Sequence, residues 1–259
     1  VVSAYRREVH DALVGEVWGR SLEVHEKIAS TNERAMAWAK KGAPDGALVV
    51  ADAQTRGRGR FGREWVAPAG TSILASVILR PVLPVDKAPL VTLAFAAAVR
   101  DVLARQTGAD VRVKWPNDVL CQGRKIAGIL SETILSRDGI SAMVIGFGIN
   151  VNQSEGTTPG TSMHLVAGHP FGRGEVLKEV LGAGAAAVET LTTKGPEAVL
   201  DALRRHSSVL GQDVSLHLGE RTVTGRAVDI DAEGRLVLDT PEGLYRAVAG
   251  EVSMREAEQ

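Results

Sequence analysis

Residues 56–65 read RGRGRFGREW, and no other stretch constrains the fold of this chain as strongly. Four arginines in ten residues resist common burial, because a buried charge without a partner is costly. The glycines let the backbone come close to a ligand. The arginines offer planar forks of donors that suit phosphate and carboxylate. The stretch therefore reads as a loop that wraps an anion. Repulsion among Arg56, Arg58, Arg60 and Arg63 predicts a loop that orders when the anion arrives. It sits between ALVVA at residues 47–51 and SILASVIL at Ser72–Leu79, two apolar runs that read as core strands.

The flanking chain predicts a mixed α and β domain. Residues 1–22 read as a short polar helix and an approach strand. Ser30, Thr31 and Asn32 precede a helical pattern, and Ser30 and Glu33 have capping-box spacing. Residues 86–105 read as a buried helix and Val111–Lys114 as a strand. A strand with a tight Gln122-Gly123 turn follows, and further strands fall at 125–134 and 142–151. Residues 152–172 are rich in Gly, Pro, Ser and Thr and read as a long loop. Helices are predicted at 173–193 and 196–206. From Ser207 the pattern changes to short strands at 214–218, 221–229, 236–239 and 244–247, parted by Gly219-Glu220, Glu233-Gly234 and Glu242-Gly243. That spacing predicts a small β-barrel. The division is thus 1–206 and 207–259. About 50 residues bury little apolar surface alone, so the second unit is expected to lean on the first.

With 259 residues, of which 44% are hydrophobic, the chain has material for such an arrangement. A net charge of −1 gives no global basic field for nucleic acid, and the Arg/Gly loop is a local exception. The single cysteine, Cys121, excludes an internal disulfide framework and fits a reducing cytosol, so a cytoplasmic location is expected. No apolar run approaches the roughly 20 residues of a membrane span.

Two further segments carry chemistry. Lys125 opens the apolar run Ile126, Ala127, Gly128, Ile129, Leu130, and a lysine at the buried start of a strand normally meets an anion. It can also snorkel to solvent, or pair with Glu132 or Asp118. Gly128 removes a side chain that would block a ligand on that strand. Lys114-Trp115-Pro116-Asn117-Asp118 places a cation, an amide and a carboxylate around a proline that fixes the chain's exit. Asn117 can read a polar ring or a ribose. Asp118 can orient Lys125, hold Mg²⁺ or take a proton, and both can equally close an Asx turn. There is no P-loop, and Gly146-Phe147-Gly148 lacks the rest of a dinucleotide fingerprint. Nothing in the residues requires a covalent enzyme intermediate.

At these residues the sequence resembles the biotin protein ligases. Residues 57–63 resemble the family's biotin-loop signature, residues 114–118 and 125–130 two others, and GFGIN at 146–150 a fourth. The resemblance runs from Ser30 to the C-terminal β unit. It implies an α+β fold, with a mixed sheet backed by helices of the class II synthetase-like kind and an SH3-like C-terminal barrel. It implies that biotin and ATP, with Mg²⁺, form biotinoyl-5′-AMP, from which a lysine of a biotin carboxyl carrier protein takes the biotin. On the biotin side it implies Ser30, Thr31, Asn32, Gln54, Arg58, Gly59, Arg60, Lys125 and Gly128. On the nucleotide side it implies Arg58, Arg60, Trp65, Lys114, Asn117 and Asn150. The family's loop sometimes carries an aromatic that covers adenine; residues 152–165 here contain none, and Met163 or Leu165 is expected to cover the base instead. No metal ligand is assigned. Arg60, Lys125 and Asp118 are the expected catalytic residues: the cations balance charge built where two anions meet, and Asp118 aligns or accepts a proton of the incoming lysine.

Only 29 residues precede Ser30, too few for the winged helix-turn-helix of some members, so no operator binding is expected. A monomer or a weak homodimer is expected, with no membrane association. The competing readings are a lipoate–protein ligase or octanoyltransferase, a nucleic-acid-binding module, and a catalytically inactive adenylate sensor. The Arg/Gly loop followed by KWPND favours biotin over lipoate. The near-neutral charge argues against nucleic acid.

Overall fold

A computed structural model of the chain describes residues 3–157 and 159–254. The ends of the two expected units, 1–2 and 255–259, lie outside the described residues. Seven strands form the larger sheet: β1 (Leu22–Ile28), β2 (Leu48–Gln54), β3 (Ser72–Leu79), β4 (Val111–Lys114), β5 (Asp118–Cys121), β6 (Arg124–Ser136) and β7 (Gly139–Asn150). Their order is β1-β2-β3-β7-β6-β5-β4. β1 and β2 run parallel and every other pair is antiparallel, so the sheet is mixed as expected.

Alternation along the central strands gives the sheet two different faces. Ile73, Ala75, Val77 and Leu79 of β3, with Met143, Ile145, Phe147 and Ile149 of β7, enter the main core. That core is closed by α1 (Ala4–Ala12), α3 (Ala88–Thr107), α5 (Arg173–Lys194) and α6 (Glu197–His206). α3 is apolar nearly all round, with twelve buried residues, because it lies between the sheet and α5. α2 (Thr31–Lys40) packs on the opposite face. There Ala35 and Ala39 meet Val49, Ile78, Ala142 and Val144 in a second, smaller core. α2 covers only one end of that face. The other end carries Leu74, Gly146 and Gly148, and it stays open.

α4 (Met163–Ala167) interrupts what the sequence presents as a loop, capped by Ser162, whose Oγ accepts from Leu165 N at 3.2 Å. The C-terminal unit is a five-stranded antiparallel SH3-like sheet: β8 (Asp213–Leu218), β9 (Arg221–Ile230), β10 (Leu236–Thr240), β11 (Gly243–Ala247) and β12 (Glu251–Met254), in the order β11-β10-β9-β8-β12. It leans on the larger unit, as its small size requires. Trp115 Nε1 donates to Gly234 O at 2.9 Å, Arg204 pairs with Asp229 at 2.8 Å, and Lys87 pairs with Glu233 at 2.9 Å.

Candidate active site

The open end of the sheet face is the floor of a cavity of about 150 Å³. Glycine is required there by close approach. A Cβ at Gly146 would fall 1.8 Å from Asn32 Oδ1, and one at Gly148 would fall 2.4 Å from the Trp65 ring. One at Gly128 would touch both Trp65 and Lys125 at 3.0 Å. The run that reads GFGIN thus alternates apolar residues into the core with glycines under the cavity.

α2 supplies one wall. Ser30 caps the helix, its Oγ accepting from Glu33 N at 3.5 Å, which realises half of the expected capping box. Thr31 and Asn32 are in the first turn, 4% exposed each, and face the floor. Gln54 Oε1 accepts from Thr31 N at 2.7 Å and from Thr31 Oγ1 at 3.1 Å. Ser76, fully buried in β3, donates to Asn32 Oδ1 at 2.6 Å. Capping and a binding role therefore use different polar groups of the same three residues.

The Arg/Gly loop forms the second wall. It folds back on itself: Trp65 N donates to Gly57 O at 2.9 Å and Gly59 N to Arg63 O at 2.7 Å. The expectation that its arginines need an anion to relieve mutual repulsion is corrected. Each has a protein partner of its own. Arg56 reaches Glu33 at 3.4 Å, Arg58 reaches Glu132 at 3.2 Å, and Arg63 grips Glu251 with both nitrogens. Arg60 donates to Asn117 Oδ1 at 3.0 Å and to Gly250 O at 3.2 Å. Burial pulls the Arg60 guanidinium below its ordinary value, and Asp118 and Glu251 counter it; an arginine nevertheless stays charged.

The third wall joins β4, β5 and β6. Asn117 Nδ2 donates to Ile129 O at 2.8 Å, which leaves its oxygen to Arg60. Lys125 Nζ lies 2.7 Å from Asp118 Oδ1 and 5.3 Å from the centroid of the Trp65 ring. A bulge in the β5–β6 pairing makes this possible. Val119 pairs with Ala127, yet the next residue, Leu120, pairs with Lys125. Ile126 and Ala127 both enter the core, and Lys125 turns to the same face as Gly128.

Ser30, Thr31, Asn32, Gln54, Arg58, Gly59, Arg60, Trp65, Lys114, Asn117, Asp118, Lys125 and Gly128 all line this one cavity. Asn150 does not. It is buried behind the floor, where Nδ2 donates to Thr161 O at 3.0 Å and Oδ1 has no partner. The returning chain covers it, and Thr161 N donates to Lys125 O at 2.8 Å. Met163 is fully buried in the main core and is not free to cover a ligand, whereas Leu165 is half-buried. Five cationic and three anionic side chains line the cavity, a surplus that suits an anion.

Two family models match the chain. The Biotin/lipoate A/B protein ligase family covers residues 24–150, and the Biotin protein ligase C terminal domain covers residues 209–255. The biotin–[acetyl-CoA-carboxylase] ligase of Mycobacterium tuberculosis is 36% identical over 255 residues, which is 95% of this chain and 94% of that protein. The chain belongs to the biotin protein ligase family. Another member, the bifunctional ligase/repressor of Bacillus subtilis, is 34% identical over 253 residues; the match spans 95% of this chain and 78% of that relative. Among solved structures, the biotin protein ligase from Aquifex aeolicus in complex with biotin and ATP superposes with a TM-score of 0.78 at 31% identity, over 92% of this chain and 100% of that one. The matched segments include every wall of the cavity, with Gly250 and Glu251 contributed by the C-terminal domain.

Proposed function

We propose that this chain activates biotin with ATP and transfers it to a lysine of a biotin carboxyl carrier domain. One observation carries the reading. A glycine floor free of side chains is ringed by Arg60, Asn117, Asp118 and Lys125, with Trp65 lying on it. In the first step a biotin carboxylate oxygen bonds to the α-phosphorus of ATP, and the bond to the β-phosphate oxygen breaks to release pyrophosphate. Two anions meet, so catalysis is mostly positioning and charge compensation. Lys125 and Arg60 supply that charge, and Arg58 adds to it from the loop. Thr31, Asn32 and Gln54 offer the polar contacts for the ureido ring, next to Ser30, Gly59 and Gly128. Trp65, Lys114 and Asn117 serve the nucleotide side, and Asn150 acts from behind the floor.

In the second step the acceptor amine bonds to the acyl carbon and AMP leaves with its oxygen. The amine must lose a proton, and Asp118 is the carboxylate placed to align or accept it. Mg²⁺ fits the residues present in a limited way. Among the described residues no group of three or more His, Cys, Asp or Glu is placed to hold a metal ion. Mg²⁺ bound through substrate phosphates and one or two carboxylates needs none. Asp118, 2.7 Å from Lys125, is the carboxylate that would hold it, and a bound Mg²⁺ would supply charge neutralisation on the triphosphate.

The 206/207 division rests on the end of α6 at His206 and on the change from the large sheet to the small one. The carrier is a biotin-dependent carboxylase subunit. Among the described residues no helix is long and apolar enough to cross a membrane. The test is ATP–pyrophosphate exchange with biotin, lipoate or octanoate as the only acid. Exchange with biotin alone supports the reading, and exchange with lipoate or octanoate in preference to biotin refutes it.

A further inference from the structure

Glu132 belongs to none of the motif segments, yet two walls of the cavity meet at one of its atoms. Its Oε2 accepts from Asn32 Nδ2 at 3.0 Å and from Arg58 Nη1 at 3.2 Å. Asn32 comes from the first turn of α2 and Arg58 from the Arg/Gly loop, so the carboxylate ties together two elements that share no strand pairing.

The same contact decides which atoms Asn32 can offer a ligand. A carboxylate presents acceptors only, so the amide turns its NH₂ towards Glu132. The second N–H reaches Leu130 O at 3.3 Å. Asn32 Oδ1 then takes the hydrogen of Ser76 Oγ at 2.6 Å, over Gly146, where a Cβ would leave no room for it. Both donors are used, and of the two lone pairs on Oδ1 one is left. Asn32 therefore presents an acceptor to the cavity and no free donor.

We propose that Glu132 is a positioning residue for biotin recognition. It locks the Asn32 amide so that its oxygen receives an N–H of the ureido ring, and it anchors Arg58 beside it. The inference rests on the reading of this cavity as the biotin site. It differs from that reading in assigning a direction to the hydrogen bond and a cause for the direction.

The experiment is calorimetric titration with biotin, without ATP, of the wild type, Glu132→Ala, Asn32→Asp and the double variant Asn32→Asp/Glu132→Gln. Removing or opposing a charged hydrogen bond weakens biotin binding by about 10- to 100-fold in each single variant. In Glu132→Ala the loss falls more on KM for biotin than on kcat for pyrophosphate release, because Glu132 touches no reacting atom and acts through Asn32. The double variant exchanges the polarities: the new amide at position 132 donates to the new carboxylate at position 32, which still accepts from Ser76. It recovers most of the affinity, a result that a purely structural role for Glu132 does not produce. Single variants with wild-type affinity, or a double variant no better than Asn32→Asp alone, overturn the inference. Failure of the wild type to bind biotin overturns the underlying reading instead.

Discussion

Adding one methyl group at Gly146 tests the floor of the site. An ideal Cβ there lies 1.8 Å from Asn32 Oδ1 and 2.6 Å from its Cγ. An ordinary carbon–oxygen contact is about 3.3 Å, so Gly146→Ala forces the amide to retreat by about 1.5 Å. That breaks its contacts with Ser76 at 2.6 Å, Glu132 at 3.0 Å and Leu130 O at 3.3 Å. At roughly 1 kcal/mol net each, the loss is about 3 kcal/mol. Alanine recovers about 0.5–1 kcal/mol over glycine in a strand. The net destabilisation is therefore about 2 kcal/mol, or a fall of about 4–8 °C in Tm for a protein of this size. Biotin binding should suffer as well, because Asn32 leaves its place, with KM for biotin rising about tenfold or more. Thermal unfolding and biotin-dependent pyrophosphate release measure both. A variant with wild-type Tm and wild-type KM for biotin refutes the packing of Asn32 on Gly146.

The remaining predictions concern the supports of the site. Trp115→Phe removes the buried bond from Nε1 to Gly234 O at 2.9 Å, and urea unfolding should record a loss of about 1–2 kcal/mol. Arg63 holds the Glu251 carboxylate below its ordinary value. The depressed value means that its contribution is complete above the unfolded carboxylate pKa of about 4.3 and is lost as pH falls through the native value. Glu251→Gln should therefore flatten the fall in urea midpoint between about pH 5 and about pH 3, and an unchanged slope contradicts the pairing. Asp118→Asn should slow transfer from preformed biotinoyl-AMP to carrier, with the transfer rate measured directly by rapid mixing. Normal transfer removes Asp118 from the proton step.

Much of this architecture is legible in the sequence because the central strands and α3 are continuous apolar runs, as buried elements are. The elements that escape are at the margins. β1 reads LEVHEKI and buries only Val24, because it is an edge strand with little core to fill, and the expected approach strand falls too early. β12 has four residues and α4 has five, too few to establish a period. The cavity residues are legible as motifs, but their arrangement is not. Lys125 faces the site only because of the bulge that sends both Ile126 and Ala127 into the core, and alternation alone gives no sign of it. Ser76 lies inside the apolar run SILASVIL, where a lone polar residue is the one available signal. Asn150 shares its motif with two floor glycines but is covered by a chain that returns eleven residues later, a contact no helix or strand period encodes.

The proposed function requires that Lys125 and Arg60 compensate charge where biotin and ATP react. Transfer of labelled biotin from biotin and MgATP to a biotin carboxyl carrier domain tests it directly, with the wild type beside Lys125→Ala and Arg60→Ala. The wild type should transfer biotin, and each variant should be slower by about 10²–10³. Transfer by either variant at the wild-type rate, or none by a wild type whose acceptor a known ligase modifies, contradicts it.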